Sequence, residues 1–284
     1  RAWDELKALD PDQLENEKMK ILETKNLSKS FGGIKAINNL DFFLNQNEVR
    51  GVIGPNGSGK STFFNLLTGI YKADDGSSIF LNGENITNIE THQIVEKGMA
   101  RTFQLLRLFS EMTVLDNMMV GYHLHVKYGL LASINGNKSY QIEEKRNTED
   151  MMELLFFIGL ADYAYMDAIE LSIGQRRLLS LGRAMAMQPK ILLLDEPAAG
   201  LSPVNVDNLL KIIMGLRERF STTLVITEHI LKVVMETCET ITVLDYGTKI
   251  AEGTPSEVKN DNRVINAYLG EELDDNQVLK ELNS

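Results

Sequence analysis

The segment Gly54-Pro55-Asn56-Gly57-Ser58-Gly59-Lys60-Ser61-Thr62 constrains this chain more than any other. It follows an apolar, β-branched run, Val49-Arg50-Gly51-Val52-Ile53, and precedes a helical run from Thr62 to Leu67. That is the strand–turn–helix context a phosphate-binding loop needs. The glycines allow the backbone to curl so that successive N–H groups point inward at phosphate oxygens, and the start of the following helix favours negative charge. Lys60 is placed to offer a point charge to β- and γ-phosphates, and the Ser61 hydroxyl to ligate Mg²⁺. A glycine-rich turn without a ligand would explain the glycines, but not Lys60-Ser61 at this offset.

Two more short apolar runs, Ile191-Leu192-Leu193-Leu194 and Thr223-Leu224-Val225-Ile226, read as buried strands. They are too short for free-standing helices and too apolar to have a wet face, so they belong in a parallel sheet covered by helices. The first ends in Asp195-Glu196-Pro197, which places two adjacent carboxylates at the carboxyl edge of the sheet, where ligands of such sheets gather. Asp195 is expected to hold Mg²⁺ and Glu196 to act as general base on the attacking water. An Asp-Glu pair closing a strand is common, and only the phosphate loop gives it this meaning.

Between these features the pattern turns helical, from Thr113 to about Ala168, with a Thr113-x-x-Asp116 start and a polar interruption from Ile134 to Arg146. This predicts a helical lobe, about residues 112–170, inserted between sheet elements. Asp245-Tyr246-Gly247 predicts a hairpin turn, and Thr254-Pro255-Ser256-Glu257 the capped start of a late helix.

A phosphate loop with an acidic strand end also suits a GTPase, a kinase or a recombinase. Leu171-Ser172-Ile173-Gly174-Gln175-Arg176-Arg177, about one helix ahead of the acidic strand, separates them. It resembles the signature of the ABC ATPases, usually LSGGQ, with Ile173 in the third place. Ser172 and the Gly174 backbone at a helix start suit a γ-phosphate, and Gln175 completes the motif. The resemblance runs from about residue 20 to 270. Phe31, in Ser30-Phe31-Gly32-Gly33, looks like the aromatic that stacks on adenine, and Gln104, in Arg101-Thr102-Phe103-Gln104, like the Q-loop glutamine. Ala199-Gly200-Leu201-Ser202 sits at the D-loop position, and His229, in Thr227-Glu228-His229, looks like the histidine that senses γ-phosphate. A lone Phe, Gln or His is usually core, surface or structural, but seven elements in this order are hard to reach by chance.

The resemblance implies an α/β P-loop NTPase of the ABC type: a mixed sheet core, an antiparallel β subdomain and the helical lobe. It implies ATP and Mg²⁺ as ligands, with Ser61, Gln104 and Asp195 at the metal and Glu196, His229 and Gln104 in catalysis. It also implies a head-to-tail dimer with a second ABC ATPase, and permease subunits fed by an external solute-binding protein. Arg101 to Phe109, Met112 to Asn117, Val243 to Gly247 with Ile250 to Pro255, and Arg263 to Gly270 look like the branched-chain amino-acid importer ATPases, and within them the larger of two paired subunits. Importers for urea or another small solute, lipid exporters, and ATPases acting on ribosomes or DNA stay open as alternatives. The last carry two ATPase domains on one chain or long coiled coils, and neither pattern occurs in this sequence.

The formal charge of −11 argues against nucleic acid as the main partner, because phosphate binding draws its affinity from clustered Lys and Arg. No apolar run approaches the roughly 18–20 residues of a spanning helix, and no leader pattern is visible. The expected location is the cytoplasmic face of the plasma membrane. Cys238, the single cysteine, is expected to be an inert packing residue. Residues 1–18 and 271–284 are acidic and weakly patterned, and little order is expected in either around an ATPase domain of residues 19–270. Ala2, Trp3, Leu6 and Leu9 form at most one short apolar stripe, and Met19 matches the translation start of the resembled subunit.

Overall fold

The computed structural model describes residues 19–103, 108–123 and 138–269. The expectations for both tails and for Gln104 therefore lie outside the described residues.

Among the described residues ten strands form two sheets. β1 (Lys20–Phe31), β2 (Ile34–Asn45), β4 (Ser78–Leu81) and β5 (Glu84–Asn85) make an antiparallel sheet in the order β2-β1-β4-β5. β3 (Val49–Ile53), β6 (Met99–Arg101), β7 (Ile191–Asp195), β8 (Thr223–Thr227), β9 (Thr240–Asp245) and β10 (Thr248–Gly253) make a mixed sheet in the order β10-β9-β3-β8-β7-β6. Its strands run parallel except β10, which folds back on β9 through the turn at Tyr246-Gly247.

The central strands show why their sequences carry no polar alternation. Successive side chains leave a strand on opposite faces. Leu192, Leu194, Leu224 and Ile226 enter one core, whereas Ile191, Leu193 and Val225 enter another. The second core also holds Phe63, Phe64 and Leu67 of α1 (Lys60–Leu67), with Leu22, Phe42, Leu44 and Ile79 of the antiparallel sheet. The first is covered by helices: α3 (Val114–Tyr122), α4 (Lys138–Phe157), α5 (Ile173–Ala186), α6 (Pro203–Phe220) and α7 (Leu231–Thr237). The short α2 (Thr91–Glu96) lies ahead of β6, and α8 (Pro255–Lys259) and α9 (Asn262–Leu269) follow β10.

Helix starts follow the sequence signals. Thr113 caps α3, Ser172 caps α5, and Thr254 caps α8 with Pro255 at the first helical position, each side chain accepting the N–H three residues on. α1 begins at Lys60, two residues earlier than its apolar pattern suggests, because a phosphate loop runs directly into the helix. The polar interruption expected as far as Arg146 is corrected from Lys138 onward, where the chain is already helical. α4 is anchored by Met151, Leu154 and Leu155, and its polar first half is held by that second half. Ile142 there is 71% exposed, and Lys145 pairs with Glu149 one turn on, a contact worth about 0.2–0.5 kcal/mol. Cys238 is buried, as a packing residue must be, and burial pushes its thiol up to about 12.

Candidate functional site

The carboxyl ends of β3, β7 and β8 lie side by side, and the loops leaving them carry most of the residues singled out above. After β3 comes the phosphate loop. Gly54 has φ +151°, and a Cβ there would lie 2.0 Å from the Leu244 carbonyl oxygen. Gly59 has φ +106°, and its Cβ would meet the Ala36 carbonyl at 2.6 Å. Both positions therefore demand glycine, and the loop is clamped between the antiparallel sheet and the β9–β10 turn. Gly247 N–H donates to the Ser58 carbonyl at 2.9 Å, and Asn38 N–H to the Gly247 carbonyl at 2.9 Å. Pro55, Asn56, Gly57 and Ser58 span the curl, and Ser61 and Thr62 follow in the first turn of α1. The buried Lys60 ammonium donates to the carbonyls of Gly54 at 2.6 Å and Pro55 at 2.8 Å, which folds its stem back over the loop. That is where a cation must sit to meet anions held by loop N–H groups.

β7 and β8 run parallel with Asp195 opposite Thr227, so the carboxylate pair and the Thr227-Glu228-His229 segment emerge together. The two carboxylates part company there. Asp195 is buried: its Oδ2 accepts from Arg101 Nη2 at 2.6 Å and its Oδ1 from Thr227 Oγ1 at 3.0 Å. Glu196 has φ +47°, a left-handed conformation that costs a non-glycine residue about 1–3 kcal/mol. Its N–H donates to the Thr227 carbonyl at 2.9 Å, and its own carbonyl accepts from Arg177 Nη1 at 3.3 Å. Held in that turn, Glu196 sends its side chain to His229, with Oε1 2.8 Å from Nε2. The histidine side chain is 45% exposed and the glutamate 14%, so the pair sits at the rim with the histidine outermost.

Two residues quoted within motifs, but given no role in the sequence reading, belong to this site. Arg101 ends β6 with its side chain 6% exposed. One arm of its guanidinium reaches Asp195, and the other reaches Asn65 Oδ1 on α1 at 2.7 Å. The rings of Phe64 and Phe103 lie 5.4 and 5.2 Å away. Glu228 is buried with backbone N–H groups around its carboxylate. Burial pushes that carboxyl above its usual range, against which the N–H groups of Ala198, Ile230 and His229 pull it down, and the nearby charge of Glu196 adds to the upward push. The available signal was a charged residue at the end of a short, largely apolar stretch, since such a residue at a buried strand end needs partners.

The remaining predicted residues lie at two other places. Phe31 ends β1, 44% exposed, with its ring edge-on to Tyr71 at 5.2 Å and Lys29 over it at 5.4 Å. Ser172 caps α5: its hydroxyl accepts from Gln175 N–H at 3.3 Å, and the Gln175 side chain accepts from Ser172 N–H at 2.9 Å. The Gln175 amide oxygen is thereby used within its own motif. Gly174 lies against Asn205 near the start of α6, where a Cβ would come within 3.2 Å of the Asn205 amide.

Ser61 and Asp195 are hard oxygen donors of the kind Mg²⁺ accepts. Among the described residues no group of three or more His, Cys, Asp or Glu side chains could hold a metal ion. Mg²⁺ takes few protein ligands and completes its shell with phosphate oxygens and water. The residues fit Mg²⁺ delivered with a nucleotide.

A clamped phosphate loop beside an acidic strand end with a paired Glu196 and His229 defines a nucleoside-triphosphate hydrolase. The comparisons with known proteins narrow this. The model of the ABC transporter family matches residues 37–199, and that of the C-terminal segment of branched-chain amino acid ATP-binding cassette transporters matches residues 248–274. The chain is 40% identical over 251 residues to the high-affinity branched-chain amino acid transport ATP-binding protein BraF of Pseudomonas aeruginosa, covering 88% of this chain and 98% of that one. LivG of Escherichia coli, of the same description, has the same identity and coverage. Among solved structures, the ADP conformation of an ATP-binding cassette of an ABC transporter is 35% identical and superposes with a TM-score of 0.77, covering 89% of this chain and all of that one. The chain belongs to the ABC transporter family, as an ATP-binding subunit and ATP hydrolase.

Proposed function

We propose that this subunit hydrolyses ATP to drive an importer of branched-chain or other hydrophobic amino acids, docked on permease subunits at the cytoplasmic face of the membrane. The site reading rests above all on the 2.8 Å contact of Glu196 with His229 beside the phosphate loop. The substrate reading rests on relatives of nearly full coverage that are described as branched-chain amino acid transport proteins. Among the described residues no helix is long and apolar enough to cross a membrane.

In this reading Lys60 and the loop N–H groups hold the β- and γ-phosphates, and Phe31 offers its exposed ring to the adenine. Ser61 and Asp195, with Gln104 as the third expected ligand, would hold Mg²⁺, which would supply positive charge at the phosphate oxygens. Glu196 Oε accepts a proton from the water that attacks the γ-phosphate. His229 holds Glu196 in line and offers its ring nitrogen to the γ-phosphate. The exposed start of α5, with Ser172, Gly174 and Gln175, meets the nucleotide of a second ATPase, so that the head-to-tail pair closes on ATP and reopens after hydrolysis. ATP closes the pair only by binding the closed form more tightly than the open one. An external solute-binding protein supplies the permease.

Capture of the tagged chain from membranes in mild detergent tests the reading. Two permease chains and a second ATPase, with ATPase activity raised by a hydrophobic amino acid and its binding protein, are the expected outcome. Ribosomes or DNA-bound proteins without a permease would leave the nucleotide site intact and overturn the transport assignment.

A further inference from the structure

We infer that Glu228 is a positioning residue that sets the spacing of Glu196 and His229, an inference that rests on the catalytic reading of that pair. Glu228 is 1% exposed. Its Oε1 accepts from Ala198 N–H at 2.5 Å, and its Oε2 accepts from His229 N–H at 3.0 Å and Ile230 N–H at 3.3 Å. Ala198 lies two residues beyond Glu196, in the loop that leaves β7, and His229 and Ile230 begin the loop that leaves β8. One carboxylate therefore ties the backbone carrying Glu196 to the backbone carrying His229. It does so on the buried side, opposite the rim where their side chains meet at 2.8 Å.

The chemistry of the tie is specific. An ionised carboxylate only accepts, and here each oxygen faces one loop. Glutamine has a single acceptor oxygen, so its NH₂ group must confront the N–H groups of one loop. Aspartate keeps both oxygens but is one methylene short, so one loop must shift or lose its bond. The left-handed turn at Glu196 adds to the need for a tether, because an unfavourable backbone conformation persists only where its surroundings over-determine it. Ala198 N–H is one such constraint, alongside the bond from Glu196 N–H to Thr227. Glu228 is buried behind the pair and acts through backbone, so it is not itself catalytic.

The test is steady-state ATP hydrolysis by the purified full chain with Glu228→Gln and Glu228→Asp, each alone and combined with His229→Ala. Nucleotide affinity and thermal midpoint are measured in parallel. Misplacing a reacting group by about 1 Å costs up to about 100-fold, so both Glu228 variants are expected to lower kcat about 10- to 100-fold. KM and nucleotide affinity should stay within about twofold, since uniform binding is untouched. In the His229→Ala background the same changes should cost less than about twofold, because the group being positioned is gone. Glu228→Asp keeps charge and burial, so its loss separates positioning from a need for charge, and it serves if the Gln variant folds poorly. Normal kcat in Glu228→Asp, or equal losses with and without His229, would overturn the inference. A His229→Ala variant with normal kcat would instead strike the catalytic reading of the pair, and this inference would go with it.

Discussion

The carboxyl edge of the mixed sheet and the start of α5 are both marked by motifs, yet they are held in opposite ways. At the sheet edge the side chains close on other elements: Arg101 joins α1 to β7, Thr227 joins β8 to Asp195, and Glu228 joins two loops. At the start of α5, Ser172 and Gln175 close on each other across three residues, and Ile173 stands 58% exposed. A group satisfied by distant partners is held by the whole fold, and disturbing it disturbs more than itself. A group satisfied by its own helical turn is held locally and leaves its outer face available. The first arrangement suits residues that must hold a fixed geometry for chemistry. The second suits a surface that meets another subunit, as proposed for Ser172, Gly174 and Gln175.

The contrast can be tested from its strongest point downward. Glu196→Gln should lower kcat about 10²- to 10⁴-fold, as loss of a general base does, while nucleotide still binds. Phosphate release and a fluorescent-nucleotide titration check both halves, and ordinary turnover would remove Glu196 from the chemistry. Arg101→Met leaves the Asp195 carboxylate without its buried partner and should destabilise the chain by about 3–5 kcal/mol in urea unfolding. A loss below about 1 kcal/mol, the range of exposed pairs, would mean that this edge is no more interlocked than the surface. Ser172→Ala removes a helix cap and should cost about 0.5–2 kcal/mol in the same experiment. Ile173→Ser, at an exposed position, should stay within about 0.5 kcal/mol. If Ile173→Ser instead unfolded the isolated chain, the start of α5 would be part of the core and the comparison would fail.

Much of this architecture was legible because local rules decide it. Largely apolar runs, broken in β3 only by the buried Arg50, marked β3, β7 and β8, since strands covered on both faces need no polar alternation, and the capping residues marked α3, α5 and α8. The polar stretch at Lys138 to Arg146 misled because a helix anchored at one end tolerates a polar other end, and pattern alone cannot see the anchor. Glu228 and Arg101 were in plain view inside quoted motifs, but their roles depend on groups far along the chain. Arg101 acts on Asp195, 94 residues on, and Glu228 on Ala198, 30 residues back.

By itself the sequence singled out the residues proposed to bind phosphate and move a proton, because such abilities go with residue types at short fixed spacings: Gly54 to Thr62, Asp195-Glu196, His229 and Ser172 to Gln175. Only the tertiary structure decided how the two acids divide. Asp195 is drawn inward by Arg101 and Thr227, and Glu196 is turned by its left-handed backbone to meet His229. Register between parallel strands 32 residues apart sets that division, and no local rule encodes which loops a sheet will bring to the same edge.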